Sequence, residues 1–366
     1  MLSGKWAIRR AECLSDRFIF HRLKREVEVT MKLPDEIPIL RILLHPTPNS
    51  LSTLVDQILN PSASDANVYD PVVPLQTTGN KTPIFFVHPG IGEVLIFVSL
   101  AKYFHGERPF YAFRTRGFEK GQPLFTSMAE KVCCYADAMQ KVQPHGPYAI
   151  AGYSYGGIVA YELARVVESR GEEVKFVGLI DIPRAPDFAD RTSTDYTARL
   201  LFLSFSLGIV TEQGAYDLAE PLRKFPQEAQ LQRVFDMAPP QILHELQLSI
   251  TKFSRWVDIT GSTTGRAESY VPSGSVGEYL VSTPPGCSQI IPDVLDVFYA
   301  TPLKGTQADW IKRLMGWQDF CRRDVNGRED GITFTFVPGS HFTLMDLDHV
   351  PFFQKIFRER LEARGI

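Results

Sequence analysis

Between residues 81 and 180, short apolar runs alternate with stretches whose apolar positions recur every three or four residues. Lys81 to His88 (KTPIFFVH), Pro109 to Arg114, Tyr148 to Tyr153 and Glu173 to Ile180 have the length and apolar content of buried strands. Val94 to Phe104, Met128 to Val142 and the segment after Ser154 have helical spacing. This alternation predicts a parallel sheet with helices on both faces. It stops over about 188–290, where Thr197 to Leu207 and Pro240 to Trp256 read as helices whose apolar sides could line a groove. An insertion of that kind between two sheet strands is expected to form a helical lid. The alternation then resumes with a strand at Leu295 to Tyr299, a helix over Asp309 to Cys321, a strand at Thr333 to Val337 and a terminal helix from Val350 to Arg364.

The first 60 residues have a different pattern. FIFHRLKREVEVTMKLP and NSLSTLVDQIL have helical periodicity, and Pro46, Pro48 and Asn49 punctuate the chain between them. Residues 61–80, PSASDANVYDPVVPLQTTGN, lack periodicity and read as a linker before the domain at 81–366.

Composition narrows the class without changing this outline. A hydrophobic fraction of 44% with 22% charged residues is ordinary for a soluble globular chain of 366 residues. A net charge of −3 gives no reason to expect nucleic acid or an anionic membrane as partner. The N-terminus has no apolar core of signal-peptide length, and no apolar run approaches bilayer length, so a cytoplasmic location is expected. The five cysteines are odd in number and lack metal-ligand spacing. They read as reduced thiols, with no metal site and no cofactor of the chain's own.

The chemistry centres on Tyr148 to Gly157, YAIAGYSYGG. A strand, a serine flanked by glycines in Gly152-Tyr153-Ser154-Tyr155-Gly156, and an immediate helix are the parts of a nucleophile elbow, which predicts an α/β-hydrolase fold. The glycines leave room for the sharp turn, and Ser154 is the candidate nucleophile. Such a serine needs a histidine to take its proton and an acid to hold the histidine, following it in the order serine, acid, histidine. His341, in Val337-Pro338-Gly339-Ser340-His341 after the last strand, fits that order better than any of the other seven histidines. Two acids compete. Asp181 ends the strand after the elbow helix, whereas Asp309 follows the next strand, where it also suits an N-cap before WIKRLMGW. Asp181 is preferred, and Asp296, at the start of its strand, faces the wrong end of the sheet. The oxyanion donors are expected from the backbone N–H of Tyr155 and from the turn His88-Pro89-Gly90-Ile91-Gly92, at Ile91. His88 is expected to shape that turn or line the pocket.

FFVHPGIGEVLIFVSLAKYF, RPFYAFRTRGF, GPYAIAGYSYGG, LDVFYATPL and VPGSHFTLM, in this order, resemble the thioesterase domain that ends fungal nonribosomal-peptide-synthetase-like enzymes. Within that family the likeness is to adenylation–thiolation–thioesterase synthetases that join two aryl pyruvic acids, such as atromentin and terrequinone synthetases. IPILRILLHPTPNSLSTLVDQIL similarly resembles the closing half of a peptidyl carrier (thiolation) domain. In place of the phosphopantetheine attachment motif stands Cys13-Leu14-Ser15-Asp16-Arg17, with Arg17 at the modified position, so residues 1–60 are expected to be a truncated, degenerate carrier remnant, with Ser15 a poor substitute. The run GEYLVSTPPGCSQIIPDV at 277–294 is longer than the family pattern and reads either as a lid loop or as translated intron.

The resemblance implies a serine thioesterase of fungal secondary metabolism. It would take a small aryl, polyketide or peptide acyl group from a phosphopantetheine arm on a partner's acyl- or peptidyl-carrier domain and release it by hydrolysis, cyclisation or condensation. In the family the acid lies where Asp181 stands. The other readings are a free-standing esterase on diffusible esters and a non-catalytic remnant of a synthetase.

Overall fold

The protein is described by a computed structural model, in which residues 15–33, 36–37, 39–45, 47–60, 69–119, 121–183, 195–264, 292–303, 305–321 and 331–366 are described. The described chain opens with helices α1 (Ser15–Met31), α2 (Ile39–Leu44) and α3 (Pro48–Leu59). Thr47 starts α3 through a capping box with Ser50, which fixes where the helix begins.

Seven strands follow: β1 (Val72–Gln76), β2 (Ile84–Val87), β3 (Phe110–Phe113), β4 (Tyr148–Tyr153), β5 (Val174–Ile180), β6 (Leu295–Thr301) and β7 (Ile332–Ser340). They form one sheet in the order β1-β3-β2-β4-β5-β6-β7, parallel except where β1 lies antiparallel to β3. β1 corrects the expectation of a plain linker over 61–80. Its run is short and carries Pro74, which removes one ladder donor and hides the strand period. An edge strand with one paired neighbour tolerates that loss.

Alternation along the strands sorts the sheet's two faces. Phe85, Val87, Ile150, Val177 and Leu179 face one core, with helices α5 (Met128–Val142) and α6 (Tyr155–Ser169). Ile84, Phe86, Ala149, Ala151 and Phe176 face the other, with α4 (Val98–Lys102) and the terminal helix α13 (Val350–Ala363). Because β4 is buried along its whole length, the elbow at its end is held rigidly from both sides.

Between β5 and β6 the described residues 195–264 are helical: α7 (Tyr196–Ser206), α8 (Glu212–Arg223), α9 (Gln227–Asp236), α10 (Pro240–Glu245) and α11 (Ile250–Thr264). They pack around a core of their own that includes Leu200, Leu203, Val234, Phe253 and Val257. The single helix expected over Pro240 to Trp256 is two helices, separated where Gln247 takes φ +47°. The remaining lid residues of 188–290, and most of the long run at 277–294, lie outside the described residues. Beyond β6, α12 (Gln307–Leu314) continues as a 3₁₀ turn to Phe320, so the helix expected over Asp309 to Cys321 changes pitch within it.

Candidate active site

Each member of the predicted constellation follows the carboxyl end of a sheet strand: β2, β4 and β5 within the sheet, and β7 at its edge. Ser154 follows β4 directly, with φ +55° and ψ −131°, and it is 3% exposed. Its N–H donates to the carbonyl of Ile180 on β5 at 2.8 Å, and its carbonyl accepts the Gly157 N–H at 2.8 Å. These bonds close a turn whose backbone a non-glycine residue rarely adopts. The flanking glycines are required sterically. A Cβ on Gly152 would lie 1.9 Å from the Gly156 carbonyl oxygen, and one on Gly156 would lie 2.4 Å from that of Val87.

Asp181 takes the residue after β5 and also has positive φ, +51°. Its N–H donates to the Phe298 carbonyl at 2.7 Å, and Oδ1 accepts from the Ala300 N–H at 2.9 Å and the Trp310 indole N–H at 3.3 Å. With Oδ1 so engaged, Oδ2 faces the Nδ1 of His341 at 2.8 Å. A carboxylate at neutral pH only accepts, so His341 donates from Nδ1 and keeps its lone pair on Nε2.

His341 is carried on the loop after β7. Thr343 accepts the Ser340 N–H at 2.9 Å, and the Thr343 and Leu344 N–H groups return to the Ser340 carbonyl at 3.0 Å each. The hydroxyl of Tyr153, the residue before Ser154, donates to the backbone carbonyl of His341, and the two rings lie 5.4 Å apart. The strand that presents the serine is thereby tied to the loop that presents the histidine.

The other two acids weighed in the sequence lie elsewhere in the fold. Asp309 is exposed at the third position of α12, where its N–H and carboxylate both bond the hydroxyl of Thr306. Thr306, not Asp309, is therefore the N-cap, and Asp309 completes its cap. Asp296 is buried at the far end of the sheet beneath Arg360 and Arg364, both at 2.8 Å. His88 is fully buried, donating from Nδ1 to the Pro89 carbonyl and accepting at Nε2 from the Tyr135 hydroxyl, at 2.8 Å each. Burial, with the nearby Lys131 cation adding to it, lowers its pKa to about 3, so it is neutral and shapes the turn.

Of the two proposed oxyanion donors, Tyr155 opens α6, so no helical carbonyl lies one turn before its N–H. Its side chain points away, fully buried against Lys131, whose Nζ lies 3.2 Å from the hydroxyl. Ile91 lies in the turn after β2 and packs against the lid core. Phe342, next to His341, meets the same core edge to face at Phe205, with ring centroids 4.4 Å apart. The lid thus rests on the turn bearing Ile91 and on the residue beside His341. These contacts, like the Tyr153 and Trp310 bonds, join residues distant in sequence and have no local pattern to announce them.

The thioesterase-domain family matches residues 82–361. The chain belongs to that family. An atromentin synthetase of Paxillus involutus is 53% identical over 347 residues, covering 94% of this chain and 34% of the relative. One of Tapinella panuoides is 54% identical over the same length, covering 94% of this chain and 33% of its own. An inactive atromentin synthetase of Paxillus involutus is 49% identical over 346 residues, covering 94% of this chain and 33% of that protein. The chain thus spans about a third of the length of these relatives. Among solved structures, the Vlm2 thioesterase domain bound with a dodecadepsipeptide superposes with a TM-score of 0.55 at 20% identity, covering 79% of this chain and 96% of that one. A four-domain nonribosomal peptide synthetase bound to AMP and glycine gives 0.64 at 17% identity, covering 91% of this chain and 23% of that one. The fold is that of an α/β-hydrolase thioesterase domain carrying a helical lid. Among the described residues no helix is long and apolar enough to cross a membrane.

Proposed function

We propose that this thioesterase domain releases an acyl group by way of an acyl-Ser154 intermediate. The observation that carries the proposal is the His341–Asp181 hydrogen bond of 2.8 Å beside a serine held at an elbow. In the proposed reaction His341 Nε2 takes the Ser154 proton as Oγ attacks the thioester carbonyl. The N–H groups of Ile91 and Tyr155 hold the oxyanion. The carbon–sulfur bond then breaks, and the thiolate leaves with the proton from His341. A second nucleophile, water or a hydroxyl or carbon nucleophile of the substrate itself, gives its proton to His341 as it bonds the acyl carbon; the ester bond to Ser154 Oγ then breaks, and Oγ takes that proton back from His341.

Similarity to synthetases about three times this chain's length supports delivery on the phosphopantetheine arm of a carrier domain, with an aryl acyl group as cargo. We propose that helices α1 to α3 are a carrier-derived unit in the same domain order. In this proposal Arg17 stands where the attachment serine would be, and the acyl group arrives on another carrier. The chain itself holds no cofactor in this scheme.

Incubation with carriers loaded with aryl acyl thioesters should add the acyl mass to Ser154, and Ser154→Ala should abolish both adduct and turnover. Turnover by Ser154→Ala equal to wild type would end the proposal. A folded wild-type protein that neither turns over carrier thioesters nor reacts with a fluorophosphonate would instead be a non-catalytic module, the reading that the 49% identity to an inactive synthetase supports.

A further inference from the structure

The lid has a second contact surface, made with the N-terminal helices. Its centre is Gln247, the residue between α10 and α11 whose φ of +47° is uncommon for a side chain larger than asparagine. Such a conformation persists where neighbours fix it. Here the neighbours come from the N-terminal helices. The Gln247 side-chain oxygen accepts from Lys24 of α1, and its amide donates to Glu28 Oε2 at 2.9 Å. Lys252, on α11, reaches Glu36 Oε2 at 3.3 Å while also bonding the Leu246 carbonyl at 3.1 Å. Lys24 itself is 2% exposed and lies 3.0 Å from Glu28 and 3.1 Å from Glu36, so its charge is buried between the two units and neutralised there.

Among the described residues the core of the N-terminal unit centres on Ile37, Ile42 and Leu54, and a unit of about 45 residues gains from such a contact. On the lid side the consequences run inward along α11. Arg255, one turn past Lys252, donates to the carbonyls of Gly117 at 2.9 Å and Gln122 at 2.6 Å. Ile259, one turn further, is the side chain that a Cβ on Gly92 would meet at 3.2 Å, and Gly92 follows Ile91 in the turn after β2. One helix therefore touches the N-terminal unit at one end and that turn at the other.

We infer that the outer face of the lid at Gln247 and Lys252 is a docking surface for a small helical unit bearing paired glutamates, occupied in this chain by α1 and Glu36. Docking there sets the position of α11 over the Ile91 turn. The contact uses residues outside the catalytic group, and the inference holds whether or not Ser154 is acylated.

Two substitutions test it on the intact chain by hydrogen exchange, each read in the unit it does not alter. Gln247→Gly removes the lid's two side-chain bonds and relaxes the backbone, since glycine accepts positive φ. Glu36→Gln removes one exposed charge from the N-terminal unit. Gln247→Gly should speed exchange in α1, and Glu36→Gln in α11, each by about fivefold or more, the factor for losing the equivalent of at least one ordinary hydrogen bond. Exchange in β4 should stay unchanged. Acceleration confined to the substituted unit, or an equal rise in β4, would overturn the inference.

Discussion

Ser154 and Asp181 both hold positive φ at the ends of adjacent strands, a backbone that side-chain-bearing residues avoid. Strain at two candidate catalytic positions is retained only where the surrounding bonds fix it. For Ser154 these are the bonds to Ile180 and Gly157, and for Asp181 those to Phe298 and Ala300. A consequence is testable by stability alone. Ser154→Gly should be more stable than Ser154→Ala by about 1 kcal/mol in urea unfolding, because alanine keeps the strain and glycine relieves it. Equal midpoints and slopes would mean the turn is unstrained. At Asp181 the test is catalytic. Asp181→Asn offers an amide where His341 Nδ1–H needs an acceptor, which favours the wrong tautomer, and kcat should fall by roughly 10³–10⁴, the scale known for such a change in a serine protease. Asp309→Asn should leave kcat unchanged, since that carboxylate only completes a helix cap; an equal loss in both variants would return the acid to doubt.

At the scale of elements, much of the sheet was legible because its strands are continuous apolar runs and its helices keep their period. The elbow could be read because strand, serine, glycines and helix are adjacent in sequence. β1 was not legible, since Pro74 interrupts so short a run that only its pairing with β3 defines it as a strand. The break at Gln247 was equally hidden. No glycine or proline marks it, and the residues that hold it come from α1. The Tyr153 and Trp310 bonds also arise from the fold and not from spacing. The close approach of α6 to β2, by contrast, was written in Gly156. Gly156→Ala would place a methyl group 2.4 Å from the Val87 carbonyl oxygen and 2.5 Å from that of His88. Both obstacles are backbone, so α6 must move away. Thermal and urea unfolding should show a loss on the order of 2–3 kcal/mol. Fluorophosphonate labelling should slow as well, since Tyr155 and Ser154 move with α6. An unperturbed labelling rate would show that the proposed oxyanion donors tolerate that shift.

For the molecule as a whole, His88 links the turn after β2 to global stability. The folded protein buries it neutral between the Pro89 carbonyl and the Tyr135 hydroxyl, with a pKa near 3, while the unfolded chain titrates near the ordinary 6.5. Between those values the unfolded state binds a proton that the folded state does not, so stability increases with pH across that window. The contribution is complete above 6.5 and is lost as the pH falls toward 3, by about 2 kcal/mol at pH 5. Other groups titrate in the same range, so wild type alone cannot isolate it. His88→Gln keeps a donor for Pro89 and an acceptor for Tyr135 but cannot take up a proton. This variant should be less stable at pH 7.5, through imperfect packing, yet lose about 2 kcal/mol less than wild type when urea unfolding is repeated at pH 5. Equal losses would mean that His88 takes up its proton in the folded state as readily as in the unfolded chain. Acidification would then protonate the turn without unfolding it, placing a cation beneath Ile91 in a native molecule.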